Sequence, residues 1–187
     1  MAGFNGRLMP YPYALSDYAR DVSRLIDRIV KEEGEKVNVV AHSFGARVLF
    51  KLLPDTRIDK IVLTGAAGIK PRFSIKKSLR VARYKIRKKL GLDVSRFGSS
   101  DYKALDPVMK QSFVKIVGER LENRIKRVKK PCLIVSGTLD TETPLYTAKR
   151  LNKLITSSRL ITIRKAGHFA FIDDAHAFNL IVKEFLL

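Results

Sequence analysis

One five-residue stretch, Ala41-His42-Ser43-Phe44-Gly45, constrains this chain more than any other. It follows a short apolar run, Val37-Asn38-Val39-Val40, which reads as a buried strand. It precedes Ala46-Arg47-Val48-Leu49-Phe50-Lys51-Leu52-Leu53, which reads as a helix. A serine on so tight a strand-to-helix turn is lifted out of the backbone, with its hydroxyl exposed at the edge of the sheet. The turn leaves room only for small residues two before and two after the serine, and here they are Ala41 and Gly45. Matches to small-x-Ser-x-Gly arise often by chance, so the weight falls on what the rest of the chain supplies.

Two later segments supply it. Pro131-Cys132-Leu133-Ile134-Val135-Ser136-Gly137-Thr138-Leu139-Asp140 is a strand running into a turn that carries a carboxylate, and Thr143-Pro144 opens the next helix. Leu160-Ile161-Thr162-Ile163-Arg164-Lys165-Ala166-Gly167-His168 is a strand running into a loop that carries a histidine. Serine, aspartate and histidine, in that order and each after a strand, form the chain order of α/β-hydrolase triads. Gly137-x-x-Asp140-x-x-x-Pro144 and Gly167-His168-Phe169 resemble the acid and histidine loops of that superfamily. Gly3-Phe4-Asn5-Gly6 through Tyr18-Ala19-Arg20-Asp21-Val22 resembles its approach to the nucleophile helix. The resemblance covers nearly the whole chain apart from a middle insert. Ala41 departs from the usual Gly-x-Ser-x-Gly at the cost of one methyl group.

The resemblance implies a nucleophile at Ser43, a general base at His168 and an orienting acid at Asp140. It also implies an oxyanion donor in the Phe44 backbone N–H, at a helix N-terminus where the dipole favours negative charge. A serine hydroxyl is a poor nucleophile until a neighbouring base takes its proton, and an imidazole exchanges protons near neutral pH. Each residue has a plainer alternative. Ser43 would serve as a helix N-cap, His168 as a loop histidine, and Asp140 as a turn aspartate capping the helix after Thr143. Glu142, Asp173 and Asp174 are rival carboxylates; Asp140 is preferred for its place directly after a strand. His42, next to Ser43, reads as structural and turned away from it. His176 reads as a surface residue of the last helix, and Arg47 as structural or solvated.

Alternating strands and helices predict a parallel sheet covered on its faces. The expected elements are a helix from a Ser16 N-cap to about Glu33, with Tyr18, Val22, Leu25, Ile26 and Ile29 on one face, and strands near 37–42, 58–64, 131–137 and 160–164. A final helix spans about 174–187. Residues 1–69 and 129–187 form the expected core, and 70–128 the insert. Full-length members of the superfamily have further strands before the point where this chain starts, and one of their loops supplies a second oxyanion donor. The expectation is therefore an N-terminally shortened α/β-hydrolase core, whose strand before Ser43 is an uncovered edge.

A net charge of +19 is out of the ordinary, and residues 70–130 hold 20 Lys and Arg against 5 Asp and Glu, or +15 of it. In the insert, Ile75, Leu79, Ala82, Ile86 and Leu90 recur at helical spacing with lysines and arginines on the other faces. A second helix is expected over 106–126. Together they make a basic helical lid, whose residues 75–90 are a candidate contact for an anionic membrane surface; a solvated lid is the plainer reading. Three scattered histidines and one cysteine make no metal site, Gly65-Ala66-Ala67-Gly68 lacks the residues of a phosphate loop, and no nucleic-acid module is apparent. No cofactor is implied. With no long apolar run or leader, and with a lone Cys132 inside a strand, the expected location is cytoplasmic. Two readings follow: the resemblance implies a serine hydrolase acting on a small or medium carboxylic ester or related acyl substrate, and the alternative is a catalytically silent fragment that binds an anionic membrane or another polyanion through its lid.

Overall fold

The computed structural model describes residues 10–70 and 105–187, with isolated positions between 79 and 93. The chain runs α1 (Leu15–Glu33), β1 (Val37–His42), α2 (Phe44–Leu52), β2 (Ile58–Thr64), α3 (Pro107–Gly118), α4 (Glu122–Ile125), β3 (Cys132–Gly137), α5 (Leu145–Leu154), β4 (Ser158–Ile163), α6 (Ala170–Asp173) and α7 (Ala175–Leu186). The four strands form one parallel sheet in the order β1-β2-β3-β4. In register, Ala41 lies beside Leu63, which lies beside Ile134.

Sequence alternation divides the core between the two faces. In β3 every residue is buried. Cys132 and Ile134 join a cluster with Leu15, Tyr18 and Ile26 of α1, Leu49 and Phe50 of α2, and Leu151 of α5. Leu133 and Val135 join Phe178 of α7 and Ala170 on the opposite face. A strand buried on both sides reads as a continuous apolar run, which is why 131–137 stands out in the sequence.

β1 is different. It lies at the edge of the sheet among the described residues, its burial alternates along the strand, and Val40 is half exposed. The run Val37–Val40 is therefore an edge strand, as the uncovered-edge expectation requires, and only in part a buried one.

Several local expectations need correction. α1 begins at Leu15 with Ala14 at its N-cap, not with Ser16. Asp17 does the capping, because its Oδ2 accepts the Ala14 N–H at 2.8 Å, and a carboxylate in the first turn also suits the helix dipole. Gly34 ends the helix at φ +72°, donating its N–H to Val30 O. Leu25 lies outside the buried stripe and is exposed. Strand β4 starts at Ser158, two residues early. The helix expected over 106–126 is two helices broken at 119–121. The break has a visible cause. Buried Arg47 of α2 donates to Ile116 O at 2.5 Å and Glu119 O at 2.8 Å, capping the last carbonyls of α3. Leu121 then turns fully inward. Arg47 is thus structural, and Lys51 reinforces it through an ion pair with Glu119. Glycines Gly3 and Gly6, and most of the expected helix 75–90, lie outside the described residues.

Candidate active site

All three candidate residues follow C-terminal strand ends, which in a parallel sheet lie along one edge. Ser43 leaves β1 at φ +49° and ψ −112°. A positive φ on a non-glycine residue costs on the order of 1–3 kcal/mol and persists only where the surroundings impose it. Here they do: the Ser43 N–H donates to Thr64 O at 3.1 Å, and Ser43 O accepts from Ala46 and Ala67, each at 3.2 Å. A methyl on Gly45 would meet only Ala41 Cβ, at 3.9 Å, an ordinary van der Waals contact.

Asp140 and His168 meet. The side chain of Asp140 is fully buried, and its Oδ2 lies 3.0 Å from His168 Nδ1. A carboxylate only accepts, so His168 carries a proton on Nδ1 and directs Nε2 outward. Asp140 also accepts the Glu142 N–H at 2.9 Å, the Thr143 N–H at 2.8 Å and the Thr143 hydroxyl at 2.6 Å. Burial would raise the pKa of this carboxyl, but the donors from Thr143 and His168 prevail and hold it below the usual carboxylate range. The plainer alternative for Asp140, a turn aspartate, is therefore also realised. One oxygen organises the turn and the other faces both the Thr143 hydroxyl and the imidazole.

The loops that carry the pair are pressed together. A methyl on Gly137 would lie 2.2 Å from Gly167 O. The imidazole is seated just as closely on Gly65, where a Cβ would lie 3.0 Å from His168 Cε1 and Nδ1. Gly65 has φ +50°, so conformation and space both call for glycine there. Of the rival carboxylates, Asp173 accepts the Gly167 N–H at 2.7 Å and steadies the histidine loop, while Asp174 caps α7 through the Ala177 N–H.

His42 does more than turn away from Ser43. Its ring packs 4.7 Å from that of His168 and 5.1 Å from those of Phe169 and Phe171. Its Nε2 lies 3.2 Å from His168 O, so it donates there. Burial lowers its pKa, which keeps the ring neutral and suited to buttress the loop. His176 is exposed on α7, as expected.

The serine and the histidine are not joined. Ser43 makes no hydrogen bond to His168. Instead His168 Nε2 lies 3.4 Å from Oε2 of Glu142, an exposed side chain. The sequence analysis weighed Glu142 only as a rival to Asp140 and missed this position. The available signal was the spacing Asp140-Thr141-Glu142-Thr143, because an Asx-type turn brings its third residue back beside the first. Among the described residues, no group of three or more His, Cys, Asp or Glu is placed to hold a metal ion. None of the described helices is long and apolar enough to cross a membrane.

Residues 1–179 match the family model described as the alpha/beta hydrolase family. The chain is 23% identical to the 2-hydroxy-6-oxo-2,4-heptadienoate hydrolase of Pseudomonas putida, over 98% of its own length and 74% of that protein. Its fold is similar to the solved meta-cleavage product hydrolase of Pseudomonas fluorescens IP01, with TM-score 0.69, 22% identity, and coverage of 98% and 75% of the two chains. It is similar as well to the bromoperoxidase of Bacillus anthracis, with TM-score 0.71, 18% identity, and coverage of 98% and 78%. With that match over most of its length, the chain belongs to the alpha/beta hydrolase family.

Proposed function

We propose that this chain is a serine hydrolase that cleaves a carboxylic ester or related acyl substrate through Ser43, His168 and Asp140. The observation that carries the reading is the buried Asp140–His168 contact at 3.0 Å, on the same sheet edge as a serine held at positive φ. Ser43 Oγ attacks the acyl carbon while His168 Nε2 takes its proton and passes it to the leaving group; water then releases the acyl group by the same path. Asp140 keeps the imidazole in the required tautomer and stabilises its charged form. The Phe44 N–H receives the developing oxyanion. Residues 70–128 serve as the lid.

The ester substrate is what the resemblance to the superfamily suggests, and the chemistry of the three residues is compatible with it. The relatives are named for a dienoate and for bromoperoxidation, so the family alone does not select among acyl compounds.

The test is labelling of the purified chain by a fluorophosphonate probe beside Ser43→Ala and His168→Ala. Labelling of the parent, lost in both variants, is the expected result. The missing Ser43–His168 hydrogen bond favours a second reading, a silent protein that binds anionic surfaces through its basic insert. A folded chain that stays unlabelled, yet sediments with anionic vesicles in a salt-sensitive way, would establish that reading instead.

A further inference from the structure

Two exposed side chains lie beside the His168 imidazole, one of them next to its outward nitrogen. Glu142 presents Oε2 3.4 Å from Nε2, and its side chain is 64% exposed. The Phe169 ring lies 5.2 Å from the imidazole and is 47% exposed. We infer that Glu142 and Phe169 form a cation subsite on the leaving-group side of the site, selective for substrates whose leaving group carries an alkylammonium. The inference rests on the serine-hydrolase reading.

The argument is one of position. Nε2 delivers its proton to the departing heteroatom, so that atom comes within hydrogen-bond reach, about 3 Å, of Nε2. A group two or three bonds beyond it then lies beside whatever borders Nε2. Here that is the Glu142 carboxylate, with the exposed Phe169 ring 5.2 Å from the centre of the same imidazole. An anion would meet repulsion there, and a neutral alkyl group would meet only the ring. An alkylammonium satisfies both, pairing with the carboxylate and lying against the π-system. Asp140 does not compete for the cation, because its oxygens are buried and taken by Thr143, the Glu142 N–H and His168. The strongly basic charge of the chain as a whole acts at long range in the opposite sense. A preference for cations would therefore be local in origin.

The experiment holds the transferred group constant and varies only the leaving group. Diethoxyphosphoryl thiocholine is compared with its uncharged isostere, in which a tert-butyl group replaces trimethylammonium. In each case the Ser43 Oγ–P bond forms, the P–S bond breaks, and the serine proton leaves on the thiol by way of His168. The readout is the ratio of the two inactivation rates. The expected ratio favours the cation about fivefold, the factor that a unit charge pair about 4 Å apart supports in water-like surroundings. It falls to about one in Glu142→Gln, drops below one in Glu142→Lys, and is reduced in Phe169→Leu. A parent ratio near one, or a ratio unmoved by both Glu142 substitutions, overturns the inference. Failure of a folded chain to react with either probe overturns the serine-hydrolase reading and the inference with it, and differs plainly from reaction without preference.

Discussion

Gly137→Ala tests whether the histidine loop is positioned by backbone contact alone. The added methyl would lie 2.2 Å from Gly167 O, 2.3 Å from Ala166 O and 2.6 Å from Ala166 C. These are backbone atoms, so no side chain can swing aside. To reach even 3.0 Å from Gly167 O the loop must retreat by about 0.8 Å, the difference between the two distances. The loop is not free to do so, because Leu139 N–H donates to Ala166 O at 2.8 Å and Lys165 N–H to Thr138 Oγ1 at 2.9 Å. Overpacking costs about 1–3 kcal/mol, and a strained or broken hydrogen bond adds about 1 kcal/mol. A total of roughly 2–4 kcal/mol lowers the melting temperature of a chain this size by roughly 5–15 °C. His168 follows Gly167 directly, so its Nδ1 moves with the loop and the 3.0 Å contact to Asp140 lengthens past hydrogen-bond range. A displacement near 1 Å typically costs about a hundredfold in rate. The assay is thermal melting by circular dichroism together with the rate of fluorophosphonate labelling. Gly118→Ala is the control, because a methyl there meets nothing within 4 Å. If Gly137→Ala melts with the parent and labels as fast, the loop is not held by this contact and the argument fails.

Asp140→Asn should slow labelling by about three to four orders of magnitude, because the amide no longer fixes the imidazole tautomer. The pH dependence of stability has a definite sign. Donors to Asp140 hold its folded pKa below the ordinary range. Its contribution is therefore fully present above an unfolded value of about 3.9 and is lost as pH falls through the folded value. Urea midpoints measured from pH 7 down to pH 3 should fall more steeply in the parent than in Asp140→Asn; parallel curves would count against the assignment. Cys132 is buried in β3, and burial pushes its thiol up to about 12. It should stay unreactive towards a disulfide reagent at pH 8 and react at once in denaturant, and rapid labelling of the native chain would contradict the burial.

What the sequence made legible, and what it did not, divides along physical lines. Strand β3 was legible because both its faces are buried, and β2 because Ile61, Val62 and Leu63 form a buried apolar run after the exposed Asp59. Asp140 and His168 were legible because they sit in turns next to glycines that tolerate close backbone approach, and glycine placement is a local signal. The edge position of β1 followed from which strands were present, but the exposure of Val40 did not follow from the apolar run. An edge valine and a core valine read alike. The break at 119–121 was hidden because its cause, the Arg47 side chain, lies about 70 positions away in the chain. A helical period cannot register a partner at that distance.

Glu142 is the most instructive case. A sequence distinguishes carboxylates by spacing, and spacing pointed to Asp140, whose Oδ2 lies 3.0 Å from His168 Nδ1. It could not say that the same turn, by donating the Glu142 N–H to Asp140 at 2.9 Å, curls back and sends the next carboxylate to the other nitrogen of the same ring. The same turn thus carries one carboxylate 3.0 Å from Nδ1 and another 3.4 Å from Nε2. The groups differ in how they are held: Asp140 is locked by Thr143, whereas Glu142 is exposed and tethered only through its backbone. The first therefore behaves as a fixed part of the imidazole's environment and the second as a displaceable one. That difference in restraint, more than the shared charge, distinguishes the two carboxylates beside the imidazole.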